Sequence, residues 1–108
     1  MRPATLLFRV AVAGRSMEPT FRDGDWLLAR RLRRAPRTGE LVIATDPREP
    51  ARLVVKRVRA VAGDAVALAG DHAGTSTDSR DYGPISARSV VGQPLLRYAP
   101  LRRFGPVR

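Results

Sequence analysis

The chain has 108 residues, 44% of them hydrophobic, and 20 Lys+Arg against 10 Asp+Glu give a net charge of +10. That is enough for one domain with a modest core and too apolar for a disordered chain. There is no cysteine and a single histidine, His72, which excludes disulfides, a cysteine nucleophile, thiolate metal sites and a multi-histidine metal site within one chain.

In chain order, strand-like runs occupy 5–13 (TLLFRVAVA), 25–30 (DWLLAR), 40–45 (ELVIAT), 52–61, 65–69 (AVALA) and 89–98 (SVVGQPLLRY). Gly-, Pro- and Asp-containing turns separate them, as at 22–25, 38–39 and 62–64. Short strands at this spacing predict an all-β fold, a small coiled β-barrel or sandwich. No amphipathic helix is evident, and residues 17–22 have room for one short turn. The apolar run over 4–14 is broken by Arg9 and falls short of the ~18 residues a membrane span needs. It also makes a poor signal peptide, so a soluble, cytoplasmic protein is expected. Residues 70–84 (GDHAGTSTDSRDYGP) form a long polar loop, a kind that is often functional; Asx turns and an Asp78–Arg80 ion pair would equally explain it. Its spacing is not that of a calcium loop, and no metal or cofactor is expected. Prolines recurring through 94–108 predict a frayed end, so 1–98 is read as the domain and 99–108 as a basic tail.

A net charge of +10 attracts nucleic acid, anionic lipid or acidic proteins. The densest cluster is Arg30–Arg37, within ARRLRRAPR. It reads either as a solvated loop or as an anion-binding surface. It lacks interleaved aromatics and any helix-turn-helix or zinc-finger setting, so no nucleic acid is expected, although a non-enzymatic basic β domain stays in view.

Nineteen of the 20 strong cations are arginine and one is lysine, Lys56, in LVVKRVRAV. A lone lysine can survive a compositional bias by chance. It is also the one strong cation able to lose its proton when buried. Alternation puts Val54, Lys56, Val58 and Ala60 on one face, and Leu53, Val55, Arg57, Arg59 and Val61 on the other. The face with two arginines is expected to meet solvent, which leaves Lys56 on the small apolar face. Burial there favours the neutral amine, making Lys56 a candidate general base.

In GRSMEPTF, 14–21, Ser16 ends a strand and enters a Pro-containing turn. Its hydroxyl and backbone N–H can then face one point, as acyl transfer requires. A serine capping a turn would look the same.

Taken in order, Ser16-Met17-Glu18-Pro19-Thr20, Lys56-Arg57 with Gly63-Asp64, and Gly70-Asp71-x4-Ser76-x-Asp78-Ser79-Arg80-x2-Gly83-Pro84 resemble the motifs of the type I signal peptidase family. DGDWLLARR and TGELVIA resemble the intervening boxes, and the likeness covers most of residues 10–98. The resemblance implies a mostly β catalytic core and a serine endopeptidase with a Ser/Lys dyad, in which Ser16 attacks and neutral Lys56 takes its proton. Unrelated folds use Ser-Lys in place of Ser-His-Asp. It further implies that Ser76 orients the lysine, that Asp78 and Arg80 support the site, and that Met17 and Pro19 lie at the substrate. The Ser16 N–H would form part of the oxyanion hole. Gly14 stands where some members carry a hydroxyl that completes that hole. His72 stands where asparagine is common and reads as a loop residue.

The family's N-terminal anchor and large second β domain are not recognisable in this sequence. Small anchorless relatives of this pattern, SMxPT…VKRV…STDSRxxGP…LLRY, resemble the maturation proteases of nickel-containing superoxide dismutase. That likeness implies removal of an N-terminal pro-segment from such a precursor as protein partner. The alternative is general signal-peptide-type processing at a membrane surface, with weak contact to anionic lipid. A self-cleaving repressor would share the dyad, but no helix-turn-helix precedes Ser16.

Overall fold

The computed structural model describes residues 6–72 and 83–107. Period-two alternation builds eight strands: β1 (Leu7–Ala11), β2 (Trp26–Arg31), β3 (Leu41–Asp46), β4 (Glu49–Ala62), β5 (Ala65–Ala69), β6 (Ile85–Ser86), β7 (Val90–Ala99) and β8 (Gly105–Pro106). Short 3-10 turns cover Ala87–Ser89 and Leu101–Arg103. The fold is mostly β, as expected, in one antiparallel sheet ordered β1-β2-β7-β3-β4-β5-β6, with β8 added to β7. All six predicted strands are present. The two short ones, β6 and β8, carry too few residues to show a period.

β3 explains why the sheet coils. Its run LVIA is buried throughout. Leu41 and Ile43 join a cluster with Val10, Met17, Phe21, Leu27 and Val55. Val42 and Ala44 join a second cluster with Val58, Val66, Leu68, Ile85 and Val90. A strand covered on both faces reads as a continuous apolar run rather than an alternating one. Bulges in the β2–β7, β3–β7 and β4–β5 ladders supply bends between the two clusters.

The β4–β5 bulge corrects one facial assignment. Val58 pairs with Leu68 but Ala60 with Ala67, so Arg59 is the extra residue. Val61 therefore returns to the face of Val58, and Ala60 moves to the other. The face carrying Arg57 and Arg59 is also not simply solvated, because Val55 on it is buried in the first cluster. β4 begins at Glu49 and includes Pro50. The proline is tolerated beside the irregular Asp46–Glu49 pairing, where no regular ladder needs its missing N–H.

Gly92 marks the tightest crossing. A Cβ there would lie 2.5 Å from the Phe8 ring and 2.7 Å from the Arg30 carbonyl oxygen. Gly92 pairs with Arg31 of β2 and Ile43 of β3, so β1, β2, β3 and β7 converge on it.

The frayed end expected over 94–108 is not what residues 94–107 form. Leu96 and Arg97 pair with Pro106 and Gly105, and Val107 packs against the first cluster. Prolines at Pro94, Pro100 and Pro106 suit a strand with a bulge, a corner and a short edge partner, places where a missing N–H costs little.

Beyond β7, Leu101 and Phe104 are 82% and 61% exposed. Leu7 and Trp26, 50% and 41% exposed, lie on the outer face of the β1–β2 pair, and the Trp26 and Tyr98 rings lie 6.5 Å apart. Arg9 and Arg30 share this face. Residues 6–17, 26–39 and 83–107 contain no acidic residue at all. Among the described residues no helix is long and apolar enough to cross a membrane.

Candidate active site

The chain leaves β1 through Gly14, whose φ of +82° is one that glycine adopts without strain. It then winds through a turn closed by Glu18 N–H to Arg15 O and Phe21 N–H to Met17 O, at 3.1 and 2.9 Å. This is the short turn expected at 17–22. Met17 and Phe21 anchor it in the first cluster and leave Ser16 half-buried at the surface.

Across from this turn runs β4. Antiparallel pairing sets Lys56 opposite Val42, on the face that also holds Val54 and Val58. Lys56 is only 4% exposed. A groove of about 200 Å³ separates the two segments, lined by residues 11–17 on one side and by Asp46, Arg48 and residues 52–56 on the other. Ser16 and Lys56 both border it. β1 pairs only with β2, and β4 meets β5 only from Arg57 onward. Among the described residues, the groove is thus flanked by two strand edges without a strand partner. Its apolar lining is mostly small: Ala11, Val12, Ala13, Val54 and Val55.

Of the other candidates, Gly14 lines the groove, but its N–H donates to Asp23 Oδ1 at 2.7 Å. Met17 both lines the groove and is buried in the core, at 2% exposure. Pro19 is exposed and does not line the groove. Ser76, Asp78 and Arg80 lie outside the described residues.

Two polar clamps hold the Ser16 turn, and sequence reasoning had assigned neither. In the first, the Arg57 guanidinium donates to both Asp71 oxygens, Nε at 2.9 Å and Nη2 at 3.0 Å, and Thr20 Oγ1 donates to Asp71 Oδ2. His72 N–H adds a 2.8 Å bond to the Ser16 carbonyl. Asp71 therefore ties the residue after Lys56 to the turn after Ser16. Burial pushes the Asp71 carboxyl up, but the hydrogen bonds from Arg57 and Thr20, with the Arg57 charge, outweigh it. Its pKa lies below the usual carboxylate value. The signal was present in the quoted motifs, since Thr20, Arg57 and Asp71 fall in three different ones.

The second clamp is Asp25, 2% exposed. It accepts from Arg22 N–H at 2.9 Å, Arg97 Nη1 at 3.4 Å and Arg103 Nη2 at 3.2 Å. Arg97 also donates to Thr20 O at 3.0 Å and lies 5.9 Å from the Phe21 ring centroid. The C-terminal segment thus fastens the far end of the Ser16 turn. Within the Arg30–Arg37 cluster, Arg34 pairs with Glu40, and Arg37 N–H caps the same carboxylate at 2.7 Å. Part of that cluster is therefore local loop structure. Among the described residues no group of acidic, His or Cys side chains is arranged to hold a metal.

The signal peptidase, peptidase S26 family matches residues 3–72. Mitochondrial inner membrane protease subunit 1 of Xenopus tropicalis is 34% identical, over 92% of this chain and 73% of its own length. The Homo sapiens protein of the same name is 33% identical over 92% and 74%. Mitochondrial ATP-independent inner membrane protease subunit 1b of Arabidopsis thaliana is 29% identical over 93% and 75%. These names correct two expectations. A soluble, cytoplasmic location does not stand, because the relatives are proteases named for a membrane. Nor do the relatives carry the name of a nickel superoxide dismutase maturation protease. The lack of a long apolar run does not report on peripheral attachment or on assembly.

Proposed function

Because the chain belongs to the signal peptidase, peptidase S26 family, we propose that this peptidase is a serine endopeptidase that processes precursor proteins at a membrane surface through a Ser16/Lys56 dyad. The observation that carries the reading is that Ser16 and buried Lys56 border one groove, between two strand edges that have no strand partner among the described residues. An extended substrate segment adds its backbone to such an edge and sets alternate side chains into the groove. The small apolar lining favours small residues next to the scissile bond.

In the reaction, Lys56 Nζ enters as the neutral amine, which burial among valines favours. It takes the Ser16 Oγ proton as Oγ bonds to the scissile carbonyl carbon. The oxyanion accepts from the Ser16 N–H. Collapse breaks the C–N bond, and the Lys56 ammonium returns its proton to the departing amine. Water, deprotonated by Lys56, then attacks the acyl-serine carbonyl; the C–Oγ bond breaks to release the acid, and the Lys56 ammonium returns the proton to Ser16 Oγ. By the family resemblance, Ser76 would be the residue that orients Lys56, with Asp78 and Arg80 supporting the site. Since Gly14 N–H is held by Asp23, the second oxyanion donor is a group other than that N–H. Residues 1–98 would form the peptidase domain, with 99–107 serving it as a brace.

Membrane-surface processing leads over removal of a nickel superoxide dismutase pro-segment for two reasons. The relatives are named as inner membrane proteases. Exposed Leu7 and Trp26 share the outer face of β1 and β2 with Arg9 and Arg30, Leu101 and Phe104 are exposed beyond β7, and residues 6–17, 26–39 and 83–107 carry no acid, a composition suited to an anionic lipid interface.

The experiment is cleavage, followed by mass spectrometry, of membrane-tethered precursors on anionic vesicles and of a nickel superoxide dismutase precursor in solution. Ser16→Ala and Lys56→Arg are expected to remain folded and lose ~10³-fold or more in rate. Full activity in either variant sinks the dyad. Cleavage of the dismutase precursor alone would reverse the order of the two substrate readings.

A further inference from the structure

Five charged side chains line the groove: Arg15, Asp46, Arg48, Arg52 and Lys56. Two of the arginines have acidic neighbours. Arg15 lies 3.4 Å from Glu18, and Arg48 lies 3.8 Å from Asp46 while its N–H donates to the same carboxylate at 2.9 Å. Arg52 differs. It is exposed, borders the groove, and has no acidic group within ion-pair range among the described residues. A rim cation in this situation selects substrates rather than stabilising the fold.

Its position along β4 makes the selection specific. Side chains alternate along a strand, so Arg52, Val54 and Lys56 share one face. They run from exposed through half-buried to buried, from the mouth of the groove to its floor. Four residues of strand separate Arg52 from Lys56, roughly 13 Å at ~3.3 Å each. A segment paired along this edge places its own side chains on the same two faces. The side chain beside Arg52 is therefore four positions from the one beside Lys56 and shares its face.

Resting on the Ser16/Lys56 reading above, we propose that Arg52 is a specificity-determining residue. The substrates then carry an Asp or Glu about four residues from the scissile bond, on the side of the cleavage site that runs along β4. A net charge of +10 adds a general attraction to acidic segments. Arg52 converts that attraction into a preference at one position.

The test uses a neutral peptide that the protein cleaves, with a single glutamate walked through the positions flanking the scissile bond. Rates relative to the neutral parent are measured for the native protein, Arg52→Ala and Arg52→Glu, and peptide affinities are measured on Ser16→Ala by fluorescence anisotropy. A single maximum is expected about four residues from the bond, on one side only. Its expected size is about two- to fivefold, the worth of an exposed ion pair, and it should fade at high salt. Arg52→Ala removes the maximum. Arg52→Glu inverts it, so that lysine at that position becomes the favoured residue. A flat profile, a uniform gain at every position, or a maximum that survives Arg52→Ala overturns the proposal. If no peptide is cleaved, or Ser16→Ala cleaves as well as the native protein, the dyad fails. The binding profile on Ser16→Ala still decides the role of Arg52, and a flat one overturns it.

Discussion

Lys56 sits in mid-strand, between a partner strand on one side and the start of the β5 ladder on the other, with Val42 directly opposite. Ser16 sits in a turn; its carbonyl accepts from His72 N–H, and the residues that follow it are held by Asp71 and by Arg97. The lysine side of the groove is thus fixed by ladder register, which every backbone pair reinforces. The serine side is anchored in the core by Met17 and Phe21, and fastened to the rest of the sheet by a few polar side chains from far along the chain. One-residue slips of β4 would expel Lys56 to the opposite face, so its burial is robust. The setting of the Ser16 turn against the rest of the sheet depends also on individual ion pairs, so single substitutions can displace it without unfolding the sheet.

The largest way to break this contrast is Asp25→Ala. It leaves Arg97 and Arg103, each only 17% exposed, without their carboxylate. Stripping one partner from a buried charge cluster is expected to cost about 3 kcal/mol, read from urea unfolding. The Ser16 turn should loosen as well. If stability is unchanged, the C-terminal brace is not an energetic feature. Gly92→Ala probes the sheet side instead. A Cβ forced to within 2.7 Å of the Arg30 carbonyl should cost about 1–3 kcal/mol by overpacking, seen as a lower melting temperature. Loss of activity should track loss of folded protein, not exceed it.

Asp71→Asn sharpens the comparison most finely. It retains the shape and removes the charge that binds Arg57, so about 1 kcal/mol of stability is expected to be lost at neutral pH. The fall in cleavage rate should be larger than that stability change explains, because the clamp positions Ser16 against the Lys56 strand. An equal fall in both would make Asp71 merely structural. The pH dependence carries a sign. The folded-state pKa of Asp71 is depressed, so its contribution is fully present above the ordinary carboxylate value of about 3.9 and fades as pH falls through the lower folded value. The native protein and Asp71→Asn should therefore differ in melting temperature at pH 7 and converge in strongly acidic solution. A gap that persists there would show that the effect is not the charge.

Much of this was legible in the residues. The six longer strands followed from alternation and turn chemistry, and the all-β class from their spacing. The apolar face of Lys56 followed from its valine neighbours, up to the bulge at Arg59, where local alternation stops predicting the face. The two-residue strand β6 was beyond any periodic signal. Asp25 was placed in the chain as a turn residue, since nothing local distinguishes a turn aspartate from one that is 2% exposed between two arginines. The reading of 99–108 as a tail failed for a related reason. Prolines forbid a regular central strand but fit an edge or a corner, and the choice depends on what is available to pair with.

By itself, then, the sequence determined the strands, the burial of a lone lysine on an apolar face, and the turn that carries Ser16 after β1, because each is set by period-two alternation or by a turn a few residues long. Only the tertiary structure decided that Ser16 and Lys56 border one groove, that Asp71 and Asp25 hold the Ser16 turn, and that the chain's end braces it. Those contacts join residues tens of positions apart, and charge pairs over such separations leave no periodic trace. They form only once the coiled sheet has brought its strands' ends together.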